Sequence, residues 1–322
     1  MGNNWFDAVV IGRNEGARLV RSLESIAAKA RRVVYVDSGS VDDSVAQARA
    51  IGIDVIELDV GRPFTAARGR NAGFQALDGD RLDFVQFLDG DCILQPCWPE
   101  QALAHMTQHP RAGLVFGRQF EAAPEASVYN WLIDWEWDKP LGAEAYCAGC
   151  LMVRTEAFVN IGGYNETLIA GEDDDMCHRM QRAGWQTWRI QADMTEHDAR
   201  LLSLRPWWRR MLRAGHSYAE LGVLHPGVAR TQQARAMFWA VVLPIVTIFA
   251  ATIWPPLAGV AVLYAVSIGR QARRFSARGL TSGRALQAAF LLMLGKFAEL
   301  AGMSSYWLAR LRGTRRKLIE YK

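Results

Sequence analysis

Short apolar runs alternating with amphipathic stretches set the rhythm of the first two hundred residues. Ala8-Val9-Val10-Ile11 is a continuous apolar run, the pattern of a strand buried on both faces. After Gly12, Leu19, Leu23 and Ile26 recur at helical spacing, which predicts a helix over about 15–29. The alternation repeats with a strand at Val33–Val36, a helix over about 42–51, a strand at Asp54–Leu58, a helix over about 66–77 and a strand at Phe84–Leu88. Repeated βα units of this kind predict an α/β fold: a mainly parallel sheet covered by helices. The pattern loosens over 118–138, where Trp131, Trp135 and Trp137 crowd together in what reads mainly as packing against the fold. It resumes with a strand over 148–153, a turn at Gly162-Gly163 and a helix over 172–183 stopped by Gly184.

The rear of the chain follows a different pattern. Residues 200–213 are basic and aromatic, as in a helix near a membrane surface. Residues 236–269 carry no charge, too many for one span and too few for two, with Pro255-Pro256 near the middle. Arg270, Arg273, Arg274, Arg278 and Arg284 follow, and positive flanks stay cytoplasmic, so a hairpin that dips into the membrane and returns is expected over 236–269. The apolar stretch 285–308 contains Lys296 and Glu299 and reads as an interfacial or protein-packed helix before a basic tail. Charge divides at the same place: residues 1–199 hold 18 Lys/Arg against 30 Asp/Glu, residues 200–322 hold 19 against 3. The expected organisation is therefore a catalytic domain over 1–200, interfacial helices over 201–235 and a membrane-associated region over 236–322. The five cysteines, an odd number, and a start without a basic, apolar leader place the front domain in the cytoplasm, at the inner face of the plasma membrane. Cys147 and Cys150 form a lone C-x-x-C, read as coincidental spacing.

Candidate chemistry gathers at the carboxyl ends of the strands, where open α/β sheets bind ligands. Asp89-Gly90-Asp91 follows a buried strand, and two carboxylates one residue apart can reach a divalent cation, Mn²⁺ or Mg²⁺, if the backbone turns between them. The same triplet is also good turn chemistry. Glu172-Asp173-Asp174-Asp175 begins a predicted helix, where the macrodipole favours acids, yet four adjacent carboxylates repel one another more than a helix end requires. One of them facing the strand ends could serve as a general base.

In this order the motifs resemble those of the inverting family 2 glycosyltransferases, which have the GT-A nucleotide-sugar-binding fold. Val9 to Glu15 is similar to the family's first-strand motif, with Gly12 and Arg13 in place of a more usual Pro and a variable residue; Val36 to Ser44 is similar to its second-strand motif. Gly69-Arg70-Asn71-Ala72-Gly73 resembles A-R-N-x-G, Asp89-Gly90-Asp91 the D-x-D, Gly162 to Glu166 the G-G-F-D-E turn, and Glu172 to Met176 the E-D-x-D-L base motif. The resemblance implies a role for each residue. Asp37 would hydrogen-bond the nucleotide base, with Arg13 and Glu15 near base and ribose. Arg70 would hold the diphosphate or orient Asp89, and Asp89 would lie by the ribose and metal. Asp91 would ligate the metal, with His197 as a further ligand. Asp173 would deprotonate the acceptor, with Glu172 beside it.

The implied activity is metal-dependent transfer of one sugar from a nucleotide-sugar, UDP by family habit, to a hydroxyl of a lipid-linked or saccharide acceptor, as in polysaccharide or glycolipid synthesis. The Q-x-x-R-W of processive members is replaced here by Arg205-Pro206-Trp207-Trp208-Arg209-Arg210, so single transfer is expected. A dehydrogenase would need G-x-G-x-x-G after the first strand, and only Gly12 and Gly16 stand there. A nucleotidyltransferase of similar fold and a non-catalytic membrane scaffold are the alternatives. The rear arginines flank apolar segments, as membrane anchors do, so no nucleic-acid partner is expected.

Overall fold

A computed structural model describes residues 6–77, 83–143, 146–147, 149–253 and 259–314. The chain divides into two compact units, one of Met1–Ala123 with Ile133–Ala199 and one of Pro124–Leu132 with Arg200–Lys322.

The first unit begins with β1 (Asp7–Gly12), α1 (Ala17–Ala27), β2 (Val33–Asp37), α2 (Ser44–Ala50), β3 (Asp54–Glu57), α3 (Ala66–Ala76) and β4 (Phe84–Asp89). β1, β2, β3 and β4 pair in parallel, and Ala8, Val9 and Val10 have no exposed surface, as expected for a strand covered on both faces. The remaining elements are β5 (Cys92–Leu94), α4 (Trp98–Gln108), β6 (Ala112–Glu121), α5 (Val128–Trp137, which crosses the unit boundary), β7 (Gly142–Ala143), β8 (Leu151–Arg154), α6 (Thr155–Asn160), α7 (Glu172–Arg182) and β9 (Gln186–His197). Among the described residues the sheet order is β3-β2-β1-β4-β8-β6-β9-β5, with β7 on β9. β8 runs antiparallel to both β4 and β6, β9 lies parallel to β6 and β5 antiparallel to β9, so the sheet is mixed: parallel from β3 to β4, of changing direction beyond. The periodicity of the sequence did not show β5, which is only three residues long, or β6 and β9, whose runs are interrupted by polar residues. Of the strand expected over 148–153, Ala148 lies outside the described residues.

Two helix starts matter for the site. Thr65 caps α3, its hydroxyl accepting from the Arg68 amide at 3.1 Å, a contact worth about 1 kcal/mol. α7 carries all four acids in its first turn, after Gly171 in the left-handed region at φ 79°.

The second unit is helical. α8 (Leu204–Leu224) packs with α12 (Ser282–Leu311), and only glycine fits at two points: a Cβ on Gly215 would lie 1.9 Å from the Glu299 carbonyl oxygen, and one on Gly302 would lie 2.1 Å from that of Leu212. Trp207 is buried in this unit beside Tyr129, so part of the basic-aromatic stretch is core, not membrane interface. Glu299 is buried and accepts from Lys296 at 2.7 and 2.9 Å. α9 (Arg230–Met237), a π-helical turn (Phe238–Val242) and α10 (Leu243–Ile253) run on as one 24-residue apolar rod, only 11% buried over its most apolar stretch. α11 (Val262–Ser276) returns toward it, the Tyr264 hydroxyl donating to the Trp239 carbonyl. Pro255-Pro256 lies outside the described residues. By length and composition, Arg230–Ile253 and Ser282–Leu311 are each able to cross a membrane.

Candidate active site

The site is built where β4 stops. The Gly90 amide donates to the Ile11 carbonyl at 2.7 Å, which turns the chain between Asp89 and Asp91 and sends the two carboxylates to different partners. Asp91 is buried and faces His197, Oδ2 to Nε2 3.3 Å. Sheet register brings His197 there: as the last residue of β9 it pairs with Cys92 of β5 on one side and Glu121 of β6 on the other. Glu121, also buried, lies 3.9 Å from His197 Nδ1, and the Trp137 ring meets the imidazole edge-on at 4.7 Å. A cavity of about 180 Å³ opens beside Asp91, lined by Arg18, Arg21, Glu196 and Asp198.

Asp89 turns to Arg70. The Arg70 guanidinium is buried and donates to Asp89 at 3.0 Å, Glu172 at 3.2 Å and Asp173 at 3.3 Å, so α3, β4 and α7 meet on one cation. Burial opposes its charge, but Asp173, Asp89 and Glu172 outweigh that and hold the guanidinium protonated. One positive charge does not balance three carboxylates. Burial first, against the pull of Arg70 and with Glu172 and Asp89 adding repulsion, raises Asp173 to about 8; burial likewise raises Asp174 to about 7, against the pull of Lys139. The Tyr164 ring lies 5.2 Å from the guanidinium carbon of Arg70. Gly149 closes the other side: a Cβ there would sit 2.5 Å from an Arg70 nitrogen and 2.9 Å from an Asp89 oxygen.

Asp37 is buried at the end of β2 and accepts four hydrogen bonds from its own surroundings, from the Tyr35 and Ser40 hydroxyls and the Gly39 and Ser40 amides, at 2.5–2.9 Å. Its carboxylate thus shapes the turn at the carboxyl end of β2. Asn14 locks that turn to the loop after β1, its amide donating to Ser40 Oγ and its side chain accepting from the Val41 amide, both at 2.8 Å. Arg13 lies over the Phe64 ring at 5.6 Å, next to Gly39. Glu15 turns the other way, into an ion pair with Arg18 at 2.6 Å.

The structure therefore brings Arg70, Asp89, Glu172 and Asp173 into one cluster and Asp91 with His197 into another, while Arg13 and Asp37 stand at the β2 turn. Asn71, Tyr164, Gly149, Glu121 and Trp137 were not identified from sequence as site residues. Asn71 had a signal, its place inside A-R-N-x-G: its amide donates to the Tyr164 carbonyl at 2.9 Å and to Glu166 at 3.2 Å and accepts from the Tyr164 amide at 2.9 Å, pinning the Gly162–Glu166 turn to α3. Glu121 had none and Trp137 only its place in a group of tryptophans read mainly as packing, because sheet register and chain folding bring the two to His197.

Among the described residues, Asp91, Cys92 and His197 offer ligand atoms within 4.8 Å of one another. Two ligands on one octahedral ion, each near 2.1 Å from it, stand about 3 Å apart, so the 3.3 Å between Asp91 and His197 fits a divalent cation such as Mn²⁺ or Mg²⁺.

Residues 7–142 match the model of glycosyl transferase family 2, and residues 134–200 match a model described as the N-terminal domain of galactosyltransferase. A pre-mycofactocin glycosyltransferase of Mycobacterium tuberculosis is 31% identical over 234 residues, 68% of this chain and 47% of the relative, so the chain spans about half the length of the curated relatives it matches. Among solved structures, a mannosyltransferase from Pyrobaculum calidifontis in complex with GDP-Man and Mn²⁺ aligns with a TM-score of 0.60 at 15% identity, over 94% of this chain and 86% of the other. TarS of S. aureus (residues 1–349, with UDP-GlcNAc) aligns at 0.50 and 14% identity, over 96% and 92%. At these identities the two structures speak for the fold.

Proposed function

The chain belongs to glycosyl transferase family 2, with the GT-A fold, and on that premise we propose that it transfers a single sugar, with inversion, from a nucleotide-diphosphate sugar to an acceptor hydroxyl. The observation that carries the reading is the Arg70 cluster, which sets Asp173 of the base helix beside Asp89 of the D-x-D turn through one buried cation.

Each residue then has a task. The turn organised by Asp37 and Asn14, with Arg13 over Phe64, receives the nucleoside. Arg70 orients Asp89 and Asp173 and sits where a diphosphate would meet positive charge. Asp91 and His197 would hold a divalent cation, with Asp89 next to them at the ribose. When bound, the cation neutralises the charge that builds on the departing diphosphate. Asp173 removes the acceptor's proton as its hydroxyl attacks the anomeric carbon from the side opposite the phosphate, with Glu172 tethering Arg70 beside it. Fixing both reactants in one cleft supplies the orientation that the displacement needs. One such displacement turns an α-linked donor into a β-linked product.

For the acceptor we propose a lipid-linked or saccharide hydroxyl at the cytoplasmic membrane face. The apolar rod Arg230–Ile253, so little buried, and the arginines after it support a hairpin seated in the inner leaflet.

The test is donor hydrolysis by detergent-purified protein across UDP-, GDP- and dTDP-sugars with Mn²⁺, Mg²⁺ or EDTA, then the same assay with a membrane-lipid extract. Metal-dependent release of one nucleotide, lost in Asp91→Ala, is expected. Release that is indifferent to EDTA and to Asp91→Ala would sink the reading. A product with the donor's own anomeric configuration, seen in NMR coupling constants, would remove the inversion.

A further inference from the structure

The C-x-x-C spacing of Cys147 and Cys150 does not survive folding as a pair. Cys150 turns to the strand end, its sulfur accepting from the Asp89 amide at 3.5 Å, whereas Cys147 faces Cys177, Sγ to Sγ 3.2 Å. Both are free thiols, Cys147 half-buried and Cys177 buried. The contact joins two walls of the cleft. Cys177 stands on α7 one turn after Asp173, at i+4 and so on the same helix face. Cys147 stands two residues before Gly149, which lies flush against Arg70 and Asp89.

We propose that Cys147 and Cys177 are a thiol-oxidation site, which closes to a disulfide with a low-molecular-weight disulfide as oxidant and thereby slows the transfer reaction. The exchange balances in two steps. The Cys147 thiolate attacks one sulfur of the oxidant, forming a mixed disulfide and releasing one small thiol. The Cys177 thiolate then attacks the Cys147 sulfur and releases the second. Two protein protons end on the two released thiols, and two electrons pass from the protein to the oxidant. Cys147 is the entry point because it is half-buried where Cys177 is buried, and Cys177 is already aimed at it. Burial and the contact with Cys177 push the Cys147 thiol up, so the exchange needs alkaline pH to supply the thiolate.

The consequence follows from length. A disulfide is about 2.05 Å long, so closing the 3.2 Å contact brings the two sulfurs nearer by about 1 Å, a movement divided between side-chain rotation and the segments that carry them. Gly149 has no room to move toward Arg70 and Asp89, so the backbone's part of the movement falls on α7, which carries Asp173. Displacement of a reacting group by about 1 Å costs on the order of 10²-fold in rate. The rate effect rests on the proposed transferase reading; the crosslink does not.

The test treats full-length reduced protein with oxidised glutathione at mildly alkaline pH, then alkylates it and maps its peptides without reduction. One crosslink, Cys147 to Cys177, is expected, with a thermal midpoint raised by several degrees because the bond restricts the unfolded chain. Metal-dependent donor hydrolysis should fall at least tenfold and return with dithiothreitol, and Cys147→Ser should form no crosslink and keep its rate through the treatment. A Cys147–Cys150 or Cys92–Cys150 bond instead, no bond at all, or an equal loss of rate in Cys147→Ser would overturn the proposal. Mapping and melting need no donor, so a protein that turns over nothing even when reduced counts against the transferase reading, while the crosslink still decides this one.

Discussion

Two buried ion clusters, one in each unit, are built on opposite arithmetic. In the helical unit, Lys296 meets Glu299 within a single helix, a cation set against an anion. In the sheet unit, Arg70 meets Asp89, Glu172 and Asp173, one cation for three anions drawn from two other elements. A pairing of opposite charges serves to satisfy a buried charge. A mismatched one leaves unneutralised carboxylates, and Asp173 responds by holding its proton up to about 8. Excess of one sign is what a site needs if a cation and a proton are to arrive with its substrates.

The comparison breaks most visibly at Asp173. Asparagine keeps the shape and cannot take a proton, so Asp173→Asn should lose on the order of 10³-fold in sugar transfer, with binding of the nucleotide identified by the donor screen unchanged by calorimetry. A rate within tenfold of the parent would move the base elsewhere. Arg70 comes next. Arg70→Met leaves three carboxylates without their cation, and denaturant unfolding near neutral pH should show a loss of about 3 kcal/mol. The deficit should shrink as pH falls below about 8 and Asp173 takes up its proton; a deficit independent of pH would mean that packing, not charge, is what Arg70 supplies.

The pH profile sharpens the same point. With Asp173 raised to about 8, the fraction able to act as base grows as pH rises, so the transfer rate should climb toward about pH 8 and level off beyond it. Stability should run the other way. Asp173 and Asp174 are raised above 3.8, so they favour the folded state most below that value. That contribution is lost as the pH passes about 7 and 8. A thermal midpoint that rises across the same window would contradict this. The smallest effects belong to the matched pair. Glu299→Leu alone should cost about 2 kcal/mol by stranding Lys296, and Lys296→Met with Glu299→Leu should be nearly neutral by thermal melting.

The first half of the sheet was legible because β1, β2 and β4 are apolar runs ending in polar turns, and a helix such as α1 between them shows its periodicity plainly. β6 and β9 were not, since residues such as Arg118, Gln119, Asp193 and Glu196 interrupt any alternation, and β8 runs against its neighbours for reasons of topology that no local pattern carries. At the site, residues such as Arg70, Asp89 and Asp173 could be named through their resemblance to family motifs, but their meeting on one guanidinium could not. Asp37 shows the limit from the other side. Its motif was visible, while the four donors that occupy its carboxylate emerge only when the turn is folded. Trp137 and Glu121 flank His197 from distant parts of the chain; Trp137 stands out in sequence only as one of three crowded tryptophans, and nothing marks Glu121.

The pairing of β9 has a consequence for how this chain can vary. His197 closes a strand gripped on both sides, and the β6–β9 register shifts lie between Ala112 and Gln119, before its final stretch. An insertion or deletion of one residue past those irregularities would reverse the facing of everything downstream and carry the imidazole away from Asp91. Length changes among descendants of this gene should therefore collect in the loops and at the irregular register, and the last three residues of the strand should be inherited as an uncut block.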